Sequence, residues 1–390
     1  MRIGISTSMI QRGQTGIAQY LFALVRALLS AATDEQFVLF VLDEDLPLFD
    51  FAKGKTQIVR VPERFRSPLK NILWHQAVLP GLVRRLQIDV LHVPSYRRLL
   101  WPRPCPLVAT IHDLAPFRVA KKYDWARTFY GRVIAMRQDQ IIAISQNTAQ
   151  DLERFFGMPR QRVKVIYNGV EHDRFFPGSR EQAQAEMARR HNLQAPFFLY
   201  VARLEHPAKN HVRLISAFNE FKARSRSDWQ LVFGGSDWHG ADAIRAAAAQ
   251  SPFAPDIRFL GFVANEELPD LYRAAEAFVY PSLYEGFGMP PIEAMACGCP
   301  VISSDCGSLG EVVGSAAALV NPDDTNSIAT QLTLLATDAA LRRRLRAAGL
   351  EQAKKFDWRR TAGETLAIYT RVVRNVESFS AVSPVKSFRQ

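Results

Sequence analysis

Two glutamates, Glu285 and Glu293, stand eight residues apart in the segment SLYEGFGMPPIEAMACG (282–298). The apolar run AFVYPS just before them is typical of a strand, Gly286 and Gly288 permit close backbone approach, and a proline pair suits the first turn of a helix. A strand, a glycine turn and a helix N-terminus form a corner that binds anions. Acceptors on both sides of that corner indicate a sugar nucleotide, and two solvated glutamates at a helix end are the alternative.

Two cations, Arg203 and Lys209, lie in the segment FFLYVARLEHPAKNH (197–211). The strand pattern ends at Arg203 and Lys209 follows in a polar loop, so we expect both side chains to reach one diphosphate. At about 4 Å a cation and a phosphate oxygen attract each other by ~4 kcal/mol at an effective dielectric constant of 20. Two such cations would stabilise a leaving diphosphate without a divalent metal, so we expect neither a metal nor a cofactor. An ordinary surface loop is the alternative.

A histidine, His112, follows the strand pattern of LVATIHDLAP (107–116) together with Asp113. A histidine at a strand end can contact a sugar or assist proton movement, whereas a plain turn is the alternative. Near the N-terminus, Gly13 and Gly16 lead into a helical pattern. Their loop is either one that shapes a substrate site or a flexible connection.

The elements that must carry these residues alternate regularly along the chain. Short apolar runs alternate with helical patterns, which predicts parallel sheets with crossover helices. The rhythm breaks in a polar stretch before residue 192 and then restarts. We predict an α/β protein with two doubly wound domains, residues 1–180 and 190–357, and a long terminal helix over 358–376. Because ligands bind beyond the carboxyl ends of parallel strands, the chemistry is expected in the loops there, at a cleft between the domains.

The composition restricts the function further. The formal net charge is +11 over 390 residues, which favours nucleic acid, an acidic membrane or a phosphorylated substrate. No recognition-helix, RNP or zinc-finger pattern occurs, so nucleic acid is not expected. The absence of a long apolar stretch and of a signal-peptide pattern predicts a cytoplasmic protein. The four cysteines are expected to be small buried residues and neither disulfides nor zinc ligands; they are Cys105, Cys297, Cys299 and Cys306.

A basic, partly apolar segment covers residues 64–87. Its helical pattern carries arginines and lysines around Trp74 and several leucines, a combination that docks on anionic bilayers. This predicts peripheral contact with the inner face of the cell membrane. A crossover helix with an ordinary solvated face is the alternative.

Taken together, the motifs resemble the retaining GT-B glycosyltransferases of family GT4, the family of sucrose synthases and bacterial mannosyltransferases. The resemblance runs nearly end to end. It implies two Rossmann-like domains that face each other across a deep cleft, and a C-terminal segment, residues 358–390, that crosses back to the first domain. It rests on the corner around Glu285 and Glu293, on VARLEHPAKN and TIHDLAP, and on two further segments, VIYNGVEHDRFFP and FDWRRTAGETLAIY.

The resemblance implies a role for each candidate residue. Glu285 would contact the donor sugar and Glu293 the ribose, while Arg203 and Lys209 would hold the diphosphate. Backbone at Phe287, Gly288 and Met289 would line sugar and phosphate. His112 matches the family's cleft histidine. Gly16 matches the glycine loop on the acceptor side, and we group Gly16 with the donor-binding residues.

The same resemblance implies a reaction. A hexose, mannose from GDP-mannose, would be transferred with retention to a hydroxyl of a glycan or lipid-linked oligosaccharide in cell-surface polysaccharide biosynthesis. A UDP- or dTDP-sugar donor is one alternative. A non-catalytic sugar-nucleotide-binding subunit of a polysaccharide complex is the other.

Overall fold

The computed structural model describes residues 1–13, 15–31, 34–95, 98, 103–118 and 125–381. The chain divides into two compact units. The first consists of Met1–Gly169 and the segment from Trp358, and the second of Val170–Asp357.

The first unit is built on a parallel sheet of seven strands in the order β3-β2-β1-β4-β5-β6-β7. Each apolar run that the sequence predicts as a strand here forms one. The strands are β1 (Arg2–Ser6), β2 (Gln36–Leu42), β3 (Gln57–Val61), β4 (Val90–Val93), β5 (Leu107–Ile111), β6 (Gln140–Ala143) and β7 (Val163–Val165).

Between the strands, the described part of the first unit forms the helices α1 (Gly16–Ser30), α2 (Pro68–Ala77), α3 (Leu79–Arg85), α4 (Ala115–Arg118), α5 (Trp125–Met136) and α6 (Gln146–Phe156). The continuous helical pattern within residues 64–87 forms two helices, α2 and α3. The break has a local cause, because Pro80 in the first turn of α3 lacks the N–H that would continue the bonds of α2.

The second unit is a parallel sheet of six strands in the order β10-β9-β8-β11-β12-β13. Its strands also match the predicted runs: β8 (Phe197–Val201), β9 (Gln230–Gly234), β10 (Ile257–Gly261), β11 (Ala277–Tyr280), β12 (Val301–Ser304) and β13 (Ala317–Val320). The helices are α7 (Arg180–His191), α8 (His211–Ser225), α9 (Ala241–Ala249), α10 (Leu268–Ala274), α11 (Met289–Ala296), α12 (Leu309–Val313), α13 (Thr325–Thr337) and α14 (Ala339–Ala353).

Residues 170–180, which the sequence places in the first domain, pack with the second unit. The ring of Phe175 lies 6.0 Å from that of Tyr272, and the guanidinium of Arg273 lies 4.5 Å from the ring of Phe176. These contacts with α10 hold the segment on the second sheet. The first unit therefore ends at Gly169.

A terminal helix, α15 (Trp358–Ala381), returns the chain to the first unit. It extends five residues beyond the predicted end at 376. Its Tyr369 hydroxyl lies 2.7 Å from Nδ1 of His92 on β4, and the other ring nitrogen of His92 lies 2.8 Å from Oγ1 of Thr110. Tyr20 of α1 adds a 3.0 Å bond to the same threonine. Because this network is buried, it fixes α15 and α1 to the sheet in one register.

The four cysteines are free thiols. Cys297 and Cys299 are buried as expected, whereas Cys105 and Cys306 are half-buried because they lie in loops beside strands. Within the described ranges, no helix has the length and apolarity needed to cross a membrane.

Candidate functional site

Lys209 and Glu285 meet at the carboxyl edge of the second sheet. Lys209 lies in the loop after β8 and Glu285 in the loop after β11, and these two strands are neighbours. The Nζ of Lys209 lies 2.6 Å from Oε1 of Glu285, with 21% of the lysine and 13% of the glutamate side chain exposed. Adjacent parallel strands thus join two residues that are 76 positions apart.

Two tyrosines, one near the end of β8 and one at the end of β11, position this ion pair. The hydroxyl of Tyr280 donates to Oε1 of Glu285 at 2.8 Å, and that of Tyr200 donates to the backbone oxygen of Lys209 at 2.8 Å. The two buried rings stack with centroids 5.2 Å apart. Sequence reasoning missed both tyrosines. The sequence feature that could have identified them is a tyrosine, with its polar hydroxyl, near the end of each of two apolar strand patterns.

The lysine is charged where it lies. Burial, the largest single influence, lowers the pKa of Lys209, but Glu285, Tyr200 and Glu205 together outweigh it and the pKa is raised. An ammonium group has three donors. One reaches Glu285 and a second points toward the Tyr280 oxygen at 3.5 Å, which leaves a donor for an anionic ligand.

The backbone of Glu285 is held by the loop after β12, the next strand. The amide and the hydroxyl of Ser308 donate to the Glu285 carbonyl at 3.1 and 3.0 Å. Gly307 has a φ of +65°, and a Cβ added to it would lie 2.5 Å from that carbonyl oxygen. Only glycine permits this close approach. Sequence reasoning missed Gly307 and Ser308, although CGS after a strand pattern is a turn signal.

The helix that follows Glu285 begins as the sequence predicts. Gly288 precedes α11 with a φ of +98°, and a Cβ there would lie 2.5 Å from Cδ2 of Leu309. Met289 is the first helical residue, and the two prolines after it carry no N–H. The helix N-terminus therefore offers an anion the amides of Gly288 and Met289. A helix without prolines in its first turn would offer more free N–H donors.

Phe287 has its ring in the protein core. The ring is buried and lies 5.6 Å from that of Phe356 in an edge-to-face contact. Only its backbone is therefore suited to the lining role that the resemblance implies.

Glu293 projects from α11, one turn beyond the prolines. The hydroxyl of Tyr272 donates to its Oε2 at 3.2 Å. Burial raises the pKa of Glu293 to about 7, against an opposing influence of Arg174. The group is therefore close to half-ionised at neutral pH, which the sequence did not indicate.

Arg203 does not join the pair formed by Lys209 and Glu285. Its guanidinium lies 4.6 Å from the ring of Trp238, in the loop after β9. The neighbouring backbone fixes this arrangement, because the amide of Trp238 donates to the Leu204 carbonyl at 3.1 Å. Arg203 is exposed and forms no ion pair with any described residue.

His112 and Gly16 lie in the first unit. The His112 ring makes an edge-to-face contact with Tyr20, with centroids 4.7 Å apart, and its Nε2 is buried without a hydrogen-bond partner among the described residues. Burial lowers the pKa of His112 to about 4, so the imidazole is neutral at pH 7.

Gly16 is the first residue of α1, and an added Cβ would meet no atom of the described residues within 4 Å. Packing against the residues that the structure describes therefore does not explain a glycine at this position.

Two family models match the chain, one in each unit. The model described as Glycosyltransferase Family 4 matches residues 14–174. The model described as Glycosyl transferases group 1 matches residues 182–352.

Individual relatives agree with the family models. The chain is 29% identical over 392 residues to O-antigen chain mannosyltransferase B of Escherichia coli, covering 95% of this chain and 99% of the relative. It is 33% identical over 286 residues to the serotype-specific mannosyltransferase WbdA of Escherichia coli, covering 71% of this chain. The match spans only 35% of that longer relative.

The fold has solved counterparts as well. The sucrose-phosphate synthase of Thermosynechococcus elongatus superposes with a TM-score of 0.78 at 22% identity, over 96% of this chain and 100% of that one. The two matched models, the relatives and this fold lead to one conclusion: the chain belongs to the family 4 glycosyltransferases, enzymes of the GT-B fold.

Proposed function

We propose that this glycosyltransferase transfers mannose from GDP-mannose, with retention of configuration, to a hydroxyl of a glycan or lipid-linked oligosaccharide in cell-surface polysaccharide biosynthesis. The observation that carries the proposal is the contact of Lys209 with Glu285 at the edge where parallel sheets bind ligands. The mannosyltransferase relatives support the choice of sugar.

The donor is proposed to lie along the corner between β11 and α11. Its diphosphate accepts from the free donor of Lys209 and from the amides of Gly288 and Met289. The hydroxyls of the transferred sugar donate to Glu285, and the ribose hydroxyls donate to Glu293. Arg203, exposed and without an ion pair among the described residues, adds a second positive charge for the diphosphate.

The chemical step needs no protein nucleophile in this proposal. The bond between the sugar's anomeric carbon and the phosphate oxygen breaks, the acceptor hydroxyl attacks from the same face, and the leaving phosphate takes the acceptor's proton. Lys209 and the amides of α11 stabilise the charge that develops on the phosphate, each by roughly 3 to 4 kcal/mol, so no divalent metal takes part. Glu285 is a poor nucleophile here because Lys209 and Tyr280 both bond to its Oε1.

The proposal includes a role for His112 in the first unit. Because its imidazole is neutral at pH 7, it is suited to exchange hydrogen bonds with the transferred sugar and not to act as a cation. Its buried Nε2, which has no partner among the described residues, supports this role.

Peripheral membrane contact is proposed for helix α2. Leu69 and Leu73 are 77% and 62% exposed and lie one turn apart, hence on one face, beside Lys70. Such apolar side chains next to a cation suit an anionic bilayer surface. Trp74 takes no part in this contact, because it is buried and its ring packs 6.0 Å from Phe40.

A donor screen followed by a transfer assay tests the proposed function. GDP-mannose should raise the melting temperature of the protein more than UDP-, ADP- or dTDP-sugars do. With a lipid-linked mannose oligosaccharide it should release GDP, and chelation of divalent metals by EDTA should not stop the release. A larger shift with a UDP- or dTDP-sugar would identify another donor. Binding without GDP release would identify a non-catalytic subunit.

A further inference from the structure

A cavity of about 200 Å³ lies in the second unit, on the edge of the sheet opposite to Lys209 and Glu285. Glu276 and Pro300 line it and directly precede β11 and β12, so the cavity faces the amino ends of these strands. We call it the arginine pocket, because five arginines line it: Arg180, Arg273, Arg342, Arg343 and Arg346.

The carboxylate within the lining is already engaged. Glu276 forms an ion pair with Arg180 through one oxygen, and its other oxygen lies 3.5 Å from Nε of Arg342. This bridge holds α7 and α14 to the start of β11. It leaves the rest of the pocket without acidic side chains in its lining.

The carboxylates around the pocket have partners of their own. Asp270 pairs with Arg273 at 2.7 Å. Asp338 accepts from the amide of Leu341 at 2.8 Å, and the exposed Glu181 accepts from the Ser179 hydroxyl at 3.0 Å. None of the three forms an ion pair with Arg343 or Arg346, although Glu181 is near enough to Arg180 and Arg346 for their charges to help lower its pKa.

Part of the positive charge therefore remains unmatched. Arg343 and Arg346 form no ion pair or hydrogen bond with any residue that the structure describes, and Nη2 of Arg273 is buried without a partner among them. Arg180 begins α7, a position where the helix dipole disfavours a cation. Buried donors without acceptors cost free energy, which a bound anion would recover.

We propose that the arginine pocket binds a phosphate group, either of a soluble phosphorylated compound or of a phospholipid head group. Guanidinium groups that approach from three helices match the several oxygens of a phosphate, to which arginine donates in pairs. At about 30 Å³ per water, the cavity holds roughly six waters, which is room for a phosphate or a diphosphate. The donor site lies at the other edge of the sheet, so this is a second anion site.

Calorimetric titration with sodium pyrophosphate tests the site. The titration uses Lys209→Ala as the parent protein, because this variant weakens diphosphate binding at the proposed donor site. The parent should bind pyrophosphate, and Arg343→Gln or Arg346→Gln should each weaken binding roughly tenfold. Arg344→Gln is the matched control, since Arg344 is exposed beside Arg343 and does not line the pocket. It should change the affinity less than about twofold.

Sedimentation with phosphatidylglycerol vesicles separates the two sources of phosphate. If Arg343→Gln also lowers vesicle binding while Arg344→Gln does not, the ligand is a lipid head group. If only pyrophosphate binding falls, the ligand is a soluble phosphate compound. Equal pyrophosphate affinity in the parent, Arg343→Gln and Arg346→Gln proteins overturns the proposal, as does a parent that binds no pyrophosphate. Because Arg343 is exposed, its replacement leaves the packing of the fold intact.

Discussion

The Cβ position of Gly307 lies 2.5 Å from the backbone oxygen of Glu285, closer than any side chain can approach. The contact joins the loops after β12 and β11, and it sets where the Glu285 carboxylate stands. Glu285 is therefore positioned by a glycine 22 residues further along the chain as much as by its own loop.

Substitution Gly307→Ala is expected to displace Glu285 and lower turnover on the order of 100-fold, the effect of a misplacement of about 1 Å. The matched control is Gly261→Ala. Gly261 has a similar φ of +70°, and an added Cβ would meet no atom of the described residues within 4 Å. Its replacement by alanine therefore causes the backbone strain of about 1–2 kcal/mol that both substitutions have in common, without a steric clash. Steady-state kinetics and urea unfolding measure both effects. Equal activity of the two variants would contradict the positioning role of Gly307.

Loss of either partner of the central ion pair is expected to abolish transfer. Lys209→Ala removes a donor to the leaving phosphate and Glu285→Ala removes an acceptor for the sugar, so each should lower kcat by roughly 100- to 1000-fold. Each leaves a largely buried partner unpaired, which should lower the free energy of unfolding by about 1–3 kcal/mol while the fold survives.

Lys222→Ala controls for the loss of a buried ammonium. Lys222 is more deeply buried and pairs with Asp256 at 2.8 Å, at the end of α8 away from Lys209. Its removal should cost similar stability and leave kcat within about twofold of the wild type. Turnover that falls in parallel with stability across all three variants would assign Lys209 and Glu285 a structural role only.

The raised pKa of Glu293 predicts a pH dependence of stability. In the unfolded chain the carboxyl has its ordinary pKa near 4.5, whereas in the folded protein the pKa is about 7. The folded state therefore holds the proton more tightly, so its contribution is complete below about pH 4.5 and is lost as the pH rises through 7. A shift of this size corresponds to about 3 kcal/mol. In Glu293→Gln, the free energy of unfolding measured with urea should lack this decline between pH 5 and 8.

The same titration should affect donor binding in the opposite direction. A carboxylate accepts from two ribose hydroxyls, and its protonated form loses part of that capacity. The affinity for GDP-mannose should therefore increase several-fold between pH 6 and 8, and Glu293→Gln should flatten the profile. A wild-type affinity that is constant over this range would show that Glu293 does not contact the ribose.

Helix α2 should contribute to association with anionic vesicles. Leu69→Ser with Leu73→Ser removes two exposed apolar side chains, and each should weaken binding roughly tenfold. Leu319→Ser is the control, because Leu319 is exposed by 46% in the second unit. Co-sedimentation at low and high salt measures the effect. Binding that is equal in all variants, or indifferent to anionic lipid, would contradict membrane docking by α2.

The sequence by itself determined the elements and the candidate residues of the second unit. The alternating apolar runs form strands in both units, because apolar runs and amphipathic helices are local patterns. The corner that carries Glu285, Gly288 and Glu293 was equally predictable, since strand, glycine turn and helix follow one another directly in the chain.

Only the tertiary structure decided which of these residues meet. The order of strands β8, β11 and β12 brings Lys209, Glu285 and Gly307 together, and this order is set by pairing between distant segments. The pairing of β8 with β9 places Arg203 against Trp238, and a diphosphate shared by Arg203 and Lys209 stays a prediction. Contacts between loops of neighbouring strands and the burial that shifts the pKa of Glu293 depend on packing across the whole unit, which no local pattern of residues encodes.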